Sequence, residues 1–260
     1  MNRSSFSDTA TGRPVRPLLA AVLAAFTLAA CSNTANVASG ADAEGLLKAS
    51  AAAAQAVTLS DADVMQLADK SCAEMDAKAK VASAKGKSAQ RLARLVKGMP
   101  KEVEGVTLNY KVYESREINA WAMNNGCVRV YSGLMEKMND NELRGVIGHE
   151  IGHVALGHSK KAMQVAYAAG AARQAAASAG NSAVAALTAS EIGDLAEKLV
   201  NAQFSQAQET EADDYAFDLL TTAKLKRDGL VTAFEKLAKL GDNSSMLSSH
   251  PASSERAQHI

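Results

Sequence analysis

The stretch from Asn139 to His158 decides how this chain is read: Asn139-Asp140-Asn141-Glu142-Leu143-Arg144-Gly145-Val146-Ile147-Gly148-His149-Glu150-Ile151-Gly152-His153-Val154-Ala155-Leu156-Gly157-His158. Asn139 with Glu142 three residues on is a capping-box signature, and the spacing predicts a helix running from there past His158. Inside it lies His149-Glu150-Ile151-Gly152-His153, an H-E-x-x-H pattern. Four residues advance an α-helix by about 400°, so both imidazoles leave one face a turn apart and can share one metal ion. Glu150 stands beside them, where it can take a proton from a metal-activated water and deliver it to a leaving amine. With five His and fifteen Glu in the chain, chance would produce the pattern only about 0.006 times per chain of this composition.

Two histidines do not complete a catalytic zinc site; a third protein ligand is needed. The metzincin continuation requires Gly at position 156 and His at position 159, where this chain has Leu156 and Ser159. His158 follows His153 by five residues, about 500° on a continuous helix, so it is expected to point away from the metal and contact a neighbour. The better candidate is Glu209, in Glu209-Thr210-Glu211-Ala212-Asp213-Asp214. Glu209 and Asp213 form an i,i+4 pair, so one can ligate while the other holds a histidine ring through its second nitrogen. Glu211 and Asp214 read as a solvated acidic face.

Outward from these helices the pattern is α+β and predominantly helical. Ser60-Asp61-Ala62-Asp63 opens a helix with Val64, Leu67, Ala68 and Met75 on one side, and a second helical stretch ends before Pro100. Residues 106–113, 118–123 and 127–131 alternate like strands around the turn residues Asn124-Asn125-Gly126, predicting a small antiparallel sheet, three-stranded, beside the metal helix. Residues 162–190 are nearly all Ala, Gly, Ser and Gln, helix-permissive but with little to pack, and are read as a connector, the alternative being a mobile or lipid-facing helical excursion. Helical periodicity returns from Ile192 through Leu220 and again from Leu230 to Leu240. The strand candidate at 118–123 could accept an extended peptide as an added strand or be an ordinary core strand.

Twenty-eight basic residues balance 28 acidic ones, which excludes a nucleic-acid binder needing a cationic surplus. Apolar content of 47% argues against disorder, yet 53 alanines supply much of it, so the core must be modest for 260 residues. Arg3, Arg13 and Arg16 precede an apolar run from Leu18 to Ala30, too short to span a bilayer and suited to a secretory signal. It ends in Leu28-Ala29-Ala30-Cys31, which resembles a bacterial lipobox with Cys31 as the lipidated residue; the alternative is an ordinary signal with Cys31 incidental. Ser32 suits transfer to the outer membrane. The expected organisation is therefore a signal peptide over 1–30, a lipid-anchored tether over 31–57, and a catalytic domain over 58–260. Without residues 1–30 the chain has 25 basic and 27 acidic residues, a net charge of −2. Cys72 and Cys127 would then lie in an oxidising periplasm, either bridged, which closes a loop worth about 4 kcal/mol in the chain-entropy model, or as two buried thiols.

Asn119-Ala120-Trp121, Gly133-Leu134, the helix from Glu142 to His158, Glu209-x-Glu211-Ala212-Asp213 and His250-Pro251 with Arg256 together resemble the zinc metallopeptidase family of the CAAX prenyl endopeptidase, HtpX and the mitochondrial Oma proteases. The likeness covers roughly residues 60–260, and the lipobox makes the chain most similar to outer-membrane lipoprotein members. It implies a gluzincin-like domain holding one zinc through His149, His153 and Glu209, with Glu150 as general base and Asp213 behind the ligands. It offers His250 as a fourth or inhibitory ligand, against a loop histidine with no metal role, and Arg256 as a residue orienting the site or the oxyanion. The implied activity is cleavage of unfolded or misassembled envelope proteins, with protein or peptide substrates, the membrane as anchor, and other envelope proteases or assembly machinery as partners. Transmembrane helices of some family members have no counterpart, so intramembrane substrates do not carry over. The rival readings are a chaperone-like scaffold with a structural or self-inhibited zinc, and a non-peptidase zinc hydrolase.

Overall fold

A computed structural model describes residues 59–171, 184, 187–240, 245–250, 256 and 259–260. The expected signal peptide, Cys31 and the tether lie outside the described residues, as does most of the 162–190 stretch.

Ser60 caps α1 (Asp61–Lys78) through a complete capping box with Asp63. This helix buries Val64, Leu67, Ala68 and Cys72. Helix α2 (Lys87–Leu95) ends in a 3-10 turn, Val96–Gly98, ahead of Pro100. The expected strand over 106–113 is in fact two. Strands β1 (Glu102–Val103) and β2 (Val106–Thr107) form a small antiparallel hairpin; the buried Leu108 separates them from β3 (Asn109–Tyr113). Strands β4 (Ala120–Ala122) and β5 (Cys127–Tyr131) pair antiparallel across Gly126, where φ is 80° and a Cβ would lie 2.2 Å from the Thr107 carbonyl oxygen. Only glycine fits that approach.

The three-stranded sheet has the order β3-β5-β4, and β3 pairs with β5 in parallel, Asn109 opposite Cys127 and Tyr113 opposite Tyr131. It is therefore mixed, not antiparallel as expected. The segment between β3 and β4 carries the chain past the place β5 will occupy, and the hairpin then returns β5 into the gap. Alternation in sequence reports which side a residue faces, not which strand it pairs with. All five residues of β5 are buried, so this central strand has no solvent face.

Helix α3 (Ser132–Lys137) leads to α4 (Asp140–Ala155), which carries the H-E-x-x-H residues and is capped by Asn139 and Glu142. The helix expected to pass His158 stops at Ala155: Gly157 adopts φ 73°, and His158 opens a new helix, α5 (His158–Ala171). The first ten residues of the expected connector are thus helical, held by the burial of Met163 and Tyr167. There follow α6 (Ala189–Val200), α7 (Gln206–Thr222), α8 (Asp228–Leu240) and the short α9 (Ser245–Ser249). No helix among the described residues is long and apolar enough to cross a membrane.

Two apolar clusters flank the sheet. One gathers Val112, Val128 and Val130 with Val146, Ile147 and Ile151 of α4 and Phe234 and Leu237 of α8. The other joins Leu67 and Ala68 of α1 to Trp121, Met163 and Leu195. Arg129 is buried in the central strand and is charge-balanced by Asp76, whose oxygens lie 2.8 and 2.9 Å from Nε and Nη2. Burial opposes ionisation of Asp76, but the donors Arg129, Lys111 and Tyr113 outweigh it and hold its carboxyl down at about 2. Cys72 and Cys127 form a disulfide, with their Cα atoms 6.4 Å apart, which ties α1 to the start of β5.

Candidate metal centre

Ligands on two separate helices converge only if the helix backbones approach closely, and the sequence provides for this with glycine. Gly148 and Gly152 face Ala216 and Ala212 of α7; a Cβ on Gly152 would stand 2.9 Å from the Ala212 carbonyl oxygen. Ser205 caps α7 in a reciprocal box with Gln208, which places Glu209 in the first turn against α4.

The result is a buried cluster of His149, His153, Glu209 and His250, whose candidate donor atoms all lie within 4.8 Å of one another. His149 Nε2 is 3.0 Å from His153 Nε2 and 3.2 Å from His250 Nδ1. Glu209 Oε1 lies 3.3 Å from His153 Nε2 and 3.1 Å from His250 Nδ1, and its Oε2 lies 3.5 Å from His149 Nε2. Metal–donor bonds of 2.0–2.2 Å set tetrahedral donors about 3.3–3.6 Å apart; the Glu209 separations from His153 and His149 fall there, and the other three are 0.1–0.3 Å shorter. The donor chemistry agrees as well. His149 Nδ1 is 2.8 Å from Asp213 Oδ1, and a carboxylate can only accept, so the proton is on Nδ1 and Nε2 presents a lone pair inward. Lone pairs and a carboxylate pointing at one another in a buried space call for a cation.

Burial opposes charge on Glu209, but the neighbouring imidazoles, His153 and His250 foremost, outweigh it and hold its carboxyl well below the ordinary range. Asp213 is lowered too: burial is outweighed by His149 and Arg256. Burial pushes the His153 imidazole down and the Glu150 carboxyl up. For His250 burial is opposed by Glu150 and Glu209, which win and raise it. Its Nε2 lies 3.5 Å from Glu150 Oε1, so His250 bridges the metal cluster and the candidate base.

Arg256 sits behind the cluster. Its Nε and Nη2 are 2.7 and 2.8 Å from the two Asp213 oxygens, and Nη1 is 2.6 Å from Glu209 Oε2. The guanidinium lies over the Phe234 ring, 4.2 Å from its centroid. Arg256 is thus placed to orient two carboxylates.

The structure brings together every expected site residue from His149 to Arg256, while Cys72 and Cys127 lie apart in their disulfide and Cys31 is outside the described residues. Three neighbours were not assigned to the site from the sequence. Phe204 stacks on His153 at 3.9 Å and tilts over His250 at 5.3 Å. His158 and Glu211 contact each other, and His158 contacts His153. The 500° argument that turned His158 away assumed an unbroken helix. Gly157 was the available signal, because glycine commonly ends a helix.

Fold and centre together define a metallopeptidase of the H-E-x-x-H kind with a glutamate from a second helix. Residues 86–260 match peptidase family M48, and the chain belongs to that family. It is 53% identical to metalloprotease LoiP of Escherichia coli (strain K12) over 248 residues, covering 95% of each chain. It is 49% identical to metalloprotease YcaL of the same strain over 245 residues, 94% of each. Similarity to protease HtpX of Nitrosococcus oceani is confined to 50 residues at 52% identity, 18% of this chain and 17% of HtpX. The protein is accordingly a zinc metalloprotease acting on proteins or peptides.

Proposed function

We propose that the protein is an endopeptidase for unfolded or misassembled cell-envelope proteins, anchored through Cys31 to the periplasmic face of the outer membrane. The observation that carries the chemistry is the convergence of His149, His153 and Glu209, with donor atoms 3.0–3.5 Å apart, beside a buried Glu150. Support for the location comes from Leu28-Ala29-Ala30-Cys31 and from the Cys72–Cys127 disulfide, a bond of oxidising compartments.

His149, His153 and Glu209 would hold the zinc. When bound, it supplies a Lewis acid that makes a water nucleophilic at neutral pH and polarises the scissile carbonyl. Glu150 takes the proton of the attacking water and delivers it to the amide nitrogen as the C–N bond breaks; burial raises its carboxyl toward that task. Asp213 fixes the tautomer of His149, and Arg256 fixes Asp213 and Glu209.

His250 takes the fourth donor position and faces Glu150, so this conformation is a closed one. Strand β4 is closed as well. Its Ala122 carbonyl accepts from Ser159 Oγ at 3.0 Å, and Ala120 N–H donates to Asn119 Oδ1. The closure by His250 also favours a second reading, a scaffold whose metal is kept self-inhibited.

The mature protein should contain one zinc and digest casein in a chelator-sensitive manner. Glu150→Gln should keep the zinc and lose at least 99% of the rate, the loss of about 10²-fold or more expected for a general base. Undiminished hydrolysis by that variant would overturn the mechanism. A Glu150→Gln chain that fully restores envelope integrity in a deletion strain would favour the scaffold.

A further inference from the structure

His153 is held from behind by two polar side chains that the reaction does not use. Because α4 stops at Ala155 and Gly157 turns the chain at φ 73°, His158 opens α5 facing back toward the centre. A Cβ at Gly157 would meet nothing within 4 Å, so it is the backbone conformation, not crowding, that calls for glycine. His158 Nδ1 lies 3.1 Å from His153 Nδ1, and His158 Nε2 lies 3.0 Å from Glu211 Oε2. His158 is buried, whereas the Glu211 side chain is 60% exposed.

The proton positions follow in order. Glu211 can only accept, so His158 carries its proton on Nε2. A neutral His158 then has a lone pair at Nδ1, which accepts the Nδ1–H of His153. That leaves His153 Nε2 deprotonated and directed at His149 Nε2 and Glu209. Phe204, stacked at 3.9 Å, fixes the plane of the same ring. The geometry points to Glu211 and His158 as a positioning pair that sets the tautomer and orientation of His153, and through them the tightness of zinc binding. The pair does for His153 what Asp213 does for His149, with one more imidazole, and it extends the support of a buried ligand to the protein surface. The inference rests on His153 being a zinc ligand.

The test measures zinc dissociation by chelator competition, and the visible spectrum of the cobalt(II)-substituted protein, in the full mature chain. Removing such a supporting partner lowers metal affinity by about 10- to 100-fold. His158→Ala should fall in that range and shift the cobalt bands. Glu211→Ala, an exposed change that threatens folding least, should weaken zinc about tenfold. His158→Asn keeps an acceptor where Nδ1 was and should recover most of the affinity and the spectrum. Zinc affinity within twofold of wild type in both alanine variants overturns the pair. A wild-type chain that binds no zinc, or a His153→Ala chain that binds it unchanged, overturns the ligand assignment instead.

Discussion

Gly152→Ala probes whether close approach of two helices builds the metal centre. The added methyl would lie 2.9 Å from the Ala212 carbonyl oxygen, 3.1 Å from Ala212 Cα and 3.3 Å from Tyr215 Cβ. Two of these are backbone atoms of α7, which cannot rotate aside. Restoring carbon contacts of about 3.5 Å moves α4 and α7 apart by about half an ångström. Overpacking of this kind costs about 1–3 kcal/mol, and the better helix propensity of alanine returns about 1 kcal/mol. The net loss of stability is therefore about 1 kcal/mol. Zinc binding should suffer more, because Glu209 sits one turn before Ala212 and its oxygens are already 3.3 and 3.5 Å from the imidazoles. Half an ångström more carries them beyond the spacing of about 3.3–3.6 Å that a tetrahedral zinc accepts. Gly148→Ala is the control. Its methyl meets the Ala216 methyl at 3.3 Å, with the Ala216 Cα and Leu219 Cδ2 at 3.6 Å, so relief needs a backbone shift of only about 0.2 Å, less than half of that at Gly152. Urea midpoints and chelator competition would be read on both variants. A Gly152→Ala chain as stable and as tight for zinc as wild type would refute the reasoning, as would equal damage from Gly148→Ala.

Two further outcomes are expected. His250→Ala should raise kcat/KM for a short peptide several-fold by freeing the fourth position and Glu150, while zinc affinity falls about tenfold, or about 1.4 kcal/mol, for one lost donor; a rate that falls with the affinity would show that His250 serves the reaction instead of closing the site. Asp76 has a folded-state carboxyl held below its unfolded value of 3.8, at about 2. Its contribution to stability, about 2 kcal/mol, is therefore complete above about pH 4 and drains away as pH falls toward 2. The stability gap between wild type and Asp76→Asn, measured by urea unfolding, should narrow by that amount over this window; a gap independent of pH would refute it.

Local signals were the most readable. Capping boxes at Ser60 and Asn139 announced α1 and α4 because a helix start is satisfied by residues within four positions of one another. The candidate ligands His149 and His153 were legible for the same reason, and Glu209 with Asp213 through their own i,i+4 spacing. The errors arose where distant segments decide. Strand pairing was misread because the place of β5 between β3 and β4 depends on where the connection crosses, which no alternation records. His158 was turned away because a single left-handed glycine resets the helix phase.

By itself the sequence determined the residue chemistry: two imidazoles and a carboxylate with a base between them, on helices whose periodicity and caps are written locally. The tertiary structure decided what those groups do to one another. Gly148 and Gly152 set the separation of two helices, and that separation lets Glu209 meet His149 and His153, while the segment after α9 brings His250 to the same spot. Burial there removes water, so lone pairs that would be solvated on a free helix face one another, and a cation is what satisfies them.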